Sequence, residues 1–140
     1  MHILVTEAHF GDSTRLVERL RALGVEVTNC HDKVGYCRVL QPGGRCPLEA
    51  FTVNIDLVVD VRGSSEDLTA REYGAVCAVR AMRPVWIVPA DPSVPAVVPA
   101  GLRSHAIAAT EEQLLVLCQR RNQTGVAGQV GWPATPHCVP

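Results

Sequence analysis

The sequence predicts an α/β domain built on a doubly wound, parallel sheet of five short strands. Three observations carry that prediction. The stretch from Ile55 to Asp91 reads as strand, loop, helix, strand: the apolar runs Leu57-Val58-Val59 and Val85-Trp86-Ile87-Val88 flank a helical segment from about Ser65 to Arg83, and a crossover of that length joins parallel strands. The start of the chain has the same grammar, with the apolar run Ile3-Leu4-Val5-Thr6 followed by Leu16, Val17, Leu20 and Leu23 at helical spacing. Composition agrees, since 47% hydrophobic and 19% charged residues in a chain of 140 describe one compact soluble domain.

Each element follows in order. Ile3–Thr6 forms a buried first strand. The first helix is capped by Asp12 or Ser13 and ended by Gly24. Val25-Glu26-Val27-Thr28 alternates and forms the second strand. From Asn29 to Asn54 no period of useful length survives, although a doubly wound domain places a crossover helix here; Gly35, Pro42, Gly43, Gly44 and Pro47 break it, and Leu48-Glu49-Ala50-Phe51 is long enough for one helical turn. The unit at 55–91 supplies the third and fourth strands. Pro92, Pro95 and Pro99 then impose an extended loop, His105-Ala106-Ile107-Ala108 forms a fifth strand, and Thr110 with Gln113 makes a capping box before a final helix ending near Arg120 and Arg121. The result is a flavodoxin-like sheet in the order 2-1-3-4-5 with a long cysteine-bearing loop in place of the second crossover helix. The domain spans residues 1–121. Residues 122–140, rich in Gln, Gly, Pro and Thr, form a flexible tail in which Trp132 and the pair His137-Cys138 could dock on the domain or on a second copy in a homo-oligomer.

Charge and composition narrow the function. Thirteen basic residues stand against fourteen acidic ones, and only 4% of residues are aromatic, so the chain has neither a phosphate-tracking surface nor a base-stacking platform, and nucleic acid is not an expected partner. No charged leader with an apolar core and no membrane-length apolar run occurs. The expected location is therefore cytoplasmic, without membrane contact, and six cysteines in that compartment are reduced, metal-bound or redox-active rather than structural disulfides.

Three stretches carry candidate chemistry. The loop after the third strand, Asp60 to Asp67, opens at the carboxyl edge of the sheet, where doubly wound folds bind ligands. The helix beyond it has one residue out of place: at about 100° per residue Glu72 falls within the apolar stripe of Leu68, Ala75, Val76 and Val79. A carboxylate held against a sheet must be paired, hydrogen-bonded or protonated, which marks it for a purpose, whereas a place early in the helix also suits a dipole-stabilised surface Glu. In the loop from Glu7 to Ser13, backbone N–H groups beside Gly11 and Ser13 could bind a phosphate or carboxylate, with His9 and Asp12 as further contacts; the alternative is an ordinary connection with a good cap.

The third stretch is the cysteine loop. Cys30, Cys37 and Cys46 follow one another with six and then eight residues between, and Pro47 comes directly after the last. Thiolates in a glycine-rich loop suit a soft or borderline metal. Two identities compete: the Cys-Pro step resembles iron–sulfur ligation, and tetrahedral zinc would take a fourth ligand from His31, Cys77 or His105. The competing reading makes Cys30 a core residue and the other two incidental thiols or a disulfide. Cys77 lies on the opposite side of its helix from Glu72, so the two do not share a site.

The segments Asp56-Leu57-Val58-Val59-Asp60-Val61, Ala70-Arg71-Glu72-Tyr73-Gly74-Ala75 and Arg83-Pro84-Val85-Trp86-Ile87-Val88 resemble the nucleoside 2-deoxyribosyltransferase and nucleotide N-glycosidase family. The resemblance covers about a quarter of the chain. The Gly usually placed shortly before the Glu is replaced by Leu68-Thr69-Ala70-Arg71, and the family's Gly-rich first loop by Thr6–Ser13. It implies nucleoside or nucleotide binding, with Glu72 as nucleophile in N-glycosidic cleavage or deoxyribosyl transfer, Asp60 holding the sugar or acting as acid, and Ser64 and Ser65 contacting a phosphate or hydroxyl. The second function open to the sequence is a non-enzymatic or redox module that binds zinc or an iron–sulfur cluster through Cys30, Cys37 and Cys46.

Overall fold

The computed structural model describes residues 1–31, 35–50 and 52–124. Its central strand is β1 (His2–Glu7), which pairs with β2 (Glu26–Asn29) on one side and β3 (Leu57–Arg62) on the other; β4 (Val85–Pro89) and β5 (Ala106–Ala108) extend the sheet beyond β3. All pairings are parallel and the order is β2-β1-β3-β4-β5, the flavodoxin-like arrangement expected from the sequence. Growth of the sheet reverses at β1, so the topological switch point lies between the carboxyl ends of β1 and β3.

The period of two along each strand sorts the core into two layers. On one face Ile3, Val5, Leu57, Val59 and Val88 meet Leu16 and Leu20 of α1 (Thr14–Ala22) and Leu114 and Cys118 of α3 (Glu111–Thr124). On the other, Leu4, Val58, Val85 and Ile87 meet Ala75 and Ala78 of α2 (Tyr73–Arg80), together with Leu48 and Val53 from the cysteine loop and Val98 and Leu102 from the proline-rich loop. Right-handed crossovers explain the division: the step from β1 to β2 runs opposite to the others and puts α1 on its own face, so the connections β2–β3, β3–β4 and β4–β5 share the opposite one. The cysteine loop therefore sits where the second crossover helix would pack, beside α2.

That loop is a string of local turns. A 3-10 turn at Arg38–Leu40 and a turn closed by the Glu49 N–H on the Cys46 carbonyl at 3.1 Å punctuate it, and an isolated antiparallel bridge joins His31 to Cys37. The helical turn expected at Leu48–Phe51 is this hydrogen-bonded turn instead; Phe51 lies outside the described residues.

Several element boundaries differ from expectation: β1, β2 and β3 are shifted or longer by one to three residues, and the helix predicted to Arg83 ends at Arg80. The helix predicted from Ser65 starts as a 3-10 turn at Ala70–Glu72 and becomes α2 at Tyr73, because Glu72 reaches back to accept the Thr69 N–H at 2.6 Å and caps the element there. Strand β5 begins at Ala106 rather than His105. The final helix continues through Thr124, and the Asn122 amide donates to the Leu23 carbonyl at 2.7 Å, so residues 122–124 belong to the folded part rather than to a tail. The remaining tail, with Trp132, His137 and Cys138, lies outside the described residues. The Thr110–Gln113 capping box forms as expected, with both reciprocal hydrogen bonds present. Among the described residues no helix is long and apolar enough to cross a membrane.

Candidate functional site

The switch-point edge is already filled by the protein's own charges. In the loop after β1 the Glu7 carboxylate accepts the Gly11 N–H at 3.2 Å, the Ser13 N–H at 3.1 Å and the Ser13 hydroxyl at 2.7 Å, while its other oxygen meets Arg71 at 2.7 Å. Gly11 reaches this geometry with φ at +99°, a value side chains disfavour. The N–H groups that the sequence offered to a ligand anion are thus taken by the protein's own Glu7 carboxylate. Burial raises the Glu7 pKa, but the Ser13 and Arg71 contacts outweigh it and leave it below its ordinary value. Ser13 occupies the N-cap position of α1 without capping it, because its hydroxyl is spent on Glu7. Asp12 turns away and accepts the His9 N–H at 3.0 Å, and His9 is exposed. A cleft of about 180 Å³ opens alongside, lined in part by Glu7, Phe10, Gly11, Ser13, Arg21 and Asn29. That is below the roughly 300–1,000 Å³ of ordinary small-molecule sites.

Beneath the same edge Asp60, Arg62 and Glu72 form a buried cluster, each at most 1% exposed. Arg62 Nε lies 2.8 Å from Glu72 Oε1 and 3.9 Å from Asp60 Oδ2. The same guanidinium donates to the Asp67 carbonyl at 2.7 Å and ties down the loop after β3. Asp60 accepts the Thr6 hydroxyl at 2.6 Å. Burial pushes the Asp60 carboxyl up to about 7, and the neighbouring Glu72 carboxylate adds to the rise despite Thr6 and Arg62. The raised Asp60 pKa favours its protonated form below neutral pH, and with Asp60 protonated an Arg62–Glu72 ion pair leaves the cluster neutral, which lowers the cost of a dry interior.

The structure places Glu72 and Asp60 around the same Arg62 and turns both inward. One Glu72 oxygen is held by Thr69 and the other faces Arg62, so a substrate meets no open carboxylate. Ser64 and Ser65 are exposed on the outside of the loop, and Ser65 Oγ accepts the Asp67 N–H at 3.2 Å. Sequence reasoning missed Arg62 and Glu7. Arg62 had a signal, since the period of two places Val58, Asp60 and Arg62 on the face that α2 covers.

The thiols lie on that same face, toward the β2 edge. Cys30 follows β2, is buried, and its N–H donates to the Val5 carbonyl at 2.8 Å. Gly74 of α2 passes so close that a Cβ there would fall 2.6 Å from Cys30 Sγ. Burial pushes the Cys30 thiol up to about 12, reinforced in turn by Cys37, Cys46 and Cys77. Desolvation also raises Cys77, again with help from Cys46 and Cys37. Cys30, Cys37, Cys46 and Cys77 are all unbridged thiols, and among the described residues no group of three or more His, Cys, Asp or Glu side chains is placed to hold a metal ion. His105 precedes β5 at the opposite edge of the sheet and is removed from the thiols, whereas His31 is buried next to Cys30.

No family model, curated protein or solved structure matches this chain. Its functional reading rests on the arrangement of its own residues.

Proposed function

We propose that this chain is a non-enzymatic metal-binding module in which the loop from Asn29 to Asn54 holds zinc or an iron–sulfur cluster through Cys30, Cys37 and Cys46. The observation that carries this is the presence of three unbridged cysteines in one loop whose described backbone hydrogen bonds, from Leu40 to Val53, each span only three residues. Such a segment has little of its own to hold one conformation, and a metal would supply the missing long-range ties. The thiols do not form a cage in advance; ligation would draw the sulfurs together, which the backbone around Gly35 and Gly43 permits.

The raised pKa of Cys30 argues against a nucleophilic thiolate and agrees with a ligand that ionises only when metal binds. A cytoplasmic setting would keep these thiols reduced. Attack on a nucleoside by Glu72 would first require freeing it from Thr69 and Arg62, so the metal reading takes precedence over N-glycosidic chemistry. Metal analysis of the full chain, purified without oxygen, tests the proposal. About one zinc ion or one cluster per chain is expected, lost in Cys37→Ser with faster proteolysis between residues 29 and 54. Equal metal content and equal cleavage in both proteins would overturn it.

A further inference from the structure

We propose that the buried trio Asp60, Arg62 and Glu72 is a proton-operated latch: it holds the loop after β3 closed while one of its two carboxyls carries a proton, and releases the loop when that proton leaves. The inference is independent of the metal reading above. It begins from an uneven charge count. Two acids and one base share a fully buried position, so with both carboxyls ionised the trio carries one uncompensated negative charge, which a dry interior tolerates poorly. A single proton removes it.

The geometry shows what the guanidinium does in the closed form. Both acids approach the same nitrogen, with Glu72 Oε1 at 2.8 Å and Asp60 Oδ2 at 3.9 Å from Arg62 Nε, yet none of these three atoms has a hydrogen-bond partner among the described residues. The terminal nitrogens of Arg62 turn to backbone carbonyls instead, Nη2 to Asp67 at 2.7 Å and Nη1 to Val97 at 3.4 Å. The first fastens the loop after β3, and the second reaches the proline-rich loop. A carboxylate binds a guanidinium about twice as strongly as a neutral acceptor does, so an ionised Asp60 competes with both carbonyls for Arg62. Thr69, whose hydroxyl donates to the Ala8 carbonyl at 2.9 Å, stays fixed and confines the motion to residues 63–68.

Asp60 is the carboxyl that carries the proton. Glu72 is held ionised by the Thr69 N–H at 2.6 Å and by its closer approach to Arg62. The groups that face Asp60 are few: the Thr6 hydroxyl from β1 at 2.6 Å, Arg62 from its own strand, Glu72 from the 3-10 turn before α2, and the uncharged Ile87 opposite it on β4. Gly74, Ala75 and Ala78 of α2 add no charge, and Glu7 and Arg71 at the edge pair with each other. Burial, with help from Glu72, pushes the Asp60 carboxyl up to about 7. The closed form is therefore favoured below neutral pH and is lost as pH rises through that value, when the proton passes to solvent and no other covalent bond changes.

The test is NMR of the full chain between pH 5.5 and 8.5. The Asp60 carboxyl carbon should titrate with a midpoint near 7, and the amide signals of residues 63–68 should move with the same midpoint. The Arg62 Nη protons should exchange with solvent at least ten-fold faster at pH 8 than at pH 6 once the intrinsic pH dependence of exchange is divided out, while amides of β1 and α1 keep their protection. Asp60→Asn removes the titrating group and should abolish the step. Glu72→Gln retains an acceptor for Thr69 and leaves an ionised Asp60 to balance Arg62, so it should abolish the step as well; circular dichroism verifies that each variant is folded. If one variant does not fold the other decides, and if neither folds the agreement of the two wild-type midpoints decides. Arg62 exchange that does not change between pH 6 and pH 8, a loop that moves at a different midpoint from Asp60, or a step that survives in a folded Asp60→Asn protein overturns the latch. Equal acceleration throughout β1 and α1 also overturns it, because the proton would then control the whole fold rather than one loop.

Discussion

The two faces of the sheet are covered by different means. One carries α1 and α3, packed through Leu16, Leu20, Leu114 and Cys118 and clamped by Arg15 and Arg19 on the buried Glu111 carboxylate. Among the described residues the other carries α2 and two irregular loops where further crossover helices would pack. The regular face joins an apolar interface to the buried Glu111 ion pairs. The irregular face holds the buried Asp60–Arg62–Glu72 cluster and the four thiols. The difference teaches that a missing helix can be replaced by a tied-down loop: the buried Arg62, paired with Glu72, holds the loop after β3 through the Asp67 carbonyl, whereas Arg15, Arg19 and Glu111 join two helices on the other face.

The largest expected effect comes from breaking the charge cluster. Glu72→Ala removes the partner of a buried guanidinium and the back-bond to Thr69, and should cost about 3–5 kcal/mol in denaturant unfolding. A loss under about 1 kcal/mol would show that the cluster does not hold the face together.

Next is the contact between α2 and the loop. Gly74→Ala puts a methyl 2.6 Å from both Cys30 Sγ and Thr6 Cγ2, and should destabilise by about 1–3 kcal/mol while weakening metal uptake. Thermal melts with and without added zinc check both effects. Stabilisation by the substitution would mean that helix and thiol are not closely packed.

Asp60 gives the irregular face a pH signature. Its carboxyl ionises near 3.9 when unfolded and near 7 when folded. Between those values the native state holds a proton that the unfolded state has lost, so its contribution to stability declines as pH rises through this window, by at most about 1.4 kcal/mol per pH unit, and levels off above it. Unfolding curves from pH 4 to 8 should show this decline as the difference between wild type and Asp60→Asn; parallel curves would contradict the raised pKa.

The smallest effect belongs to the Glu7 latch. Glu7 has a lowered pKa, so its contribution is full above the ordinary carboxylate range and lost as pH falls through its folded value. Arg71→Ala should cost about 1 kcal/mol near neutral pH and bring acid unfolding to a higher pH, which a pH titration of circular dichroism measures.

The fold was legible because parallel strands buried on both faces leave apolar runs such as Leu57-Val58-Val59, and because Thr110-x-x-Gln113 announces its helix. Thr69-x-x-Glu72 carries the same kind of capping signal, but helical periodicity extended the predicted helix through it to Ser65. The anomaly at Glu72 was visible in the sequence, and so was its partner, since Asp60 and Arg62 alternate onto the face of α2. Their burial was not visible, because depth depends on what the loops after β3 and β4 lay over them. Glu7 as the loop's own anion was equally hidden, since it requires the bend at Gly11 to fold back on the end of β1. The cysteine loop was legible as a composition, with three cysteines in 17 residues, but its place beside α2 follows from the handedness of crossovers, which no single segment displays.

Hydrogen exchange of the full chain, metal-loaded and metal-stripped, tests most directly whether a metal replaces the missing helix. Amides between residues 35 and 50 should gain at least ten-fold protection on loading, while β1, β3 and α1 stay unchanged. Equal exchange of the loop in both states would contradict the account.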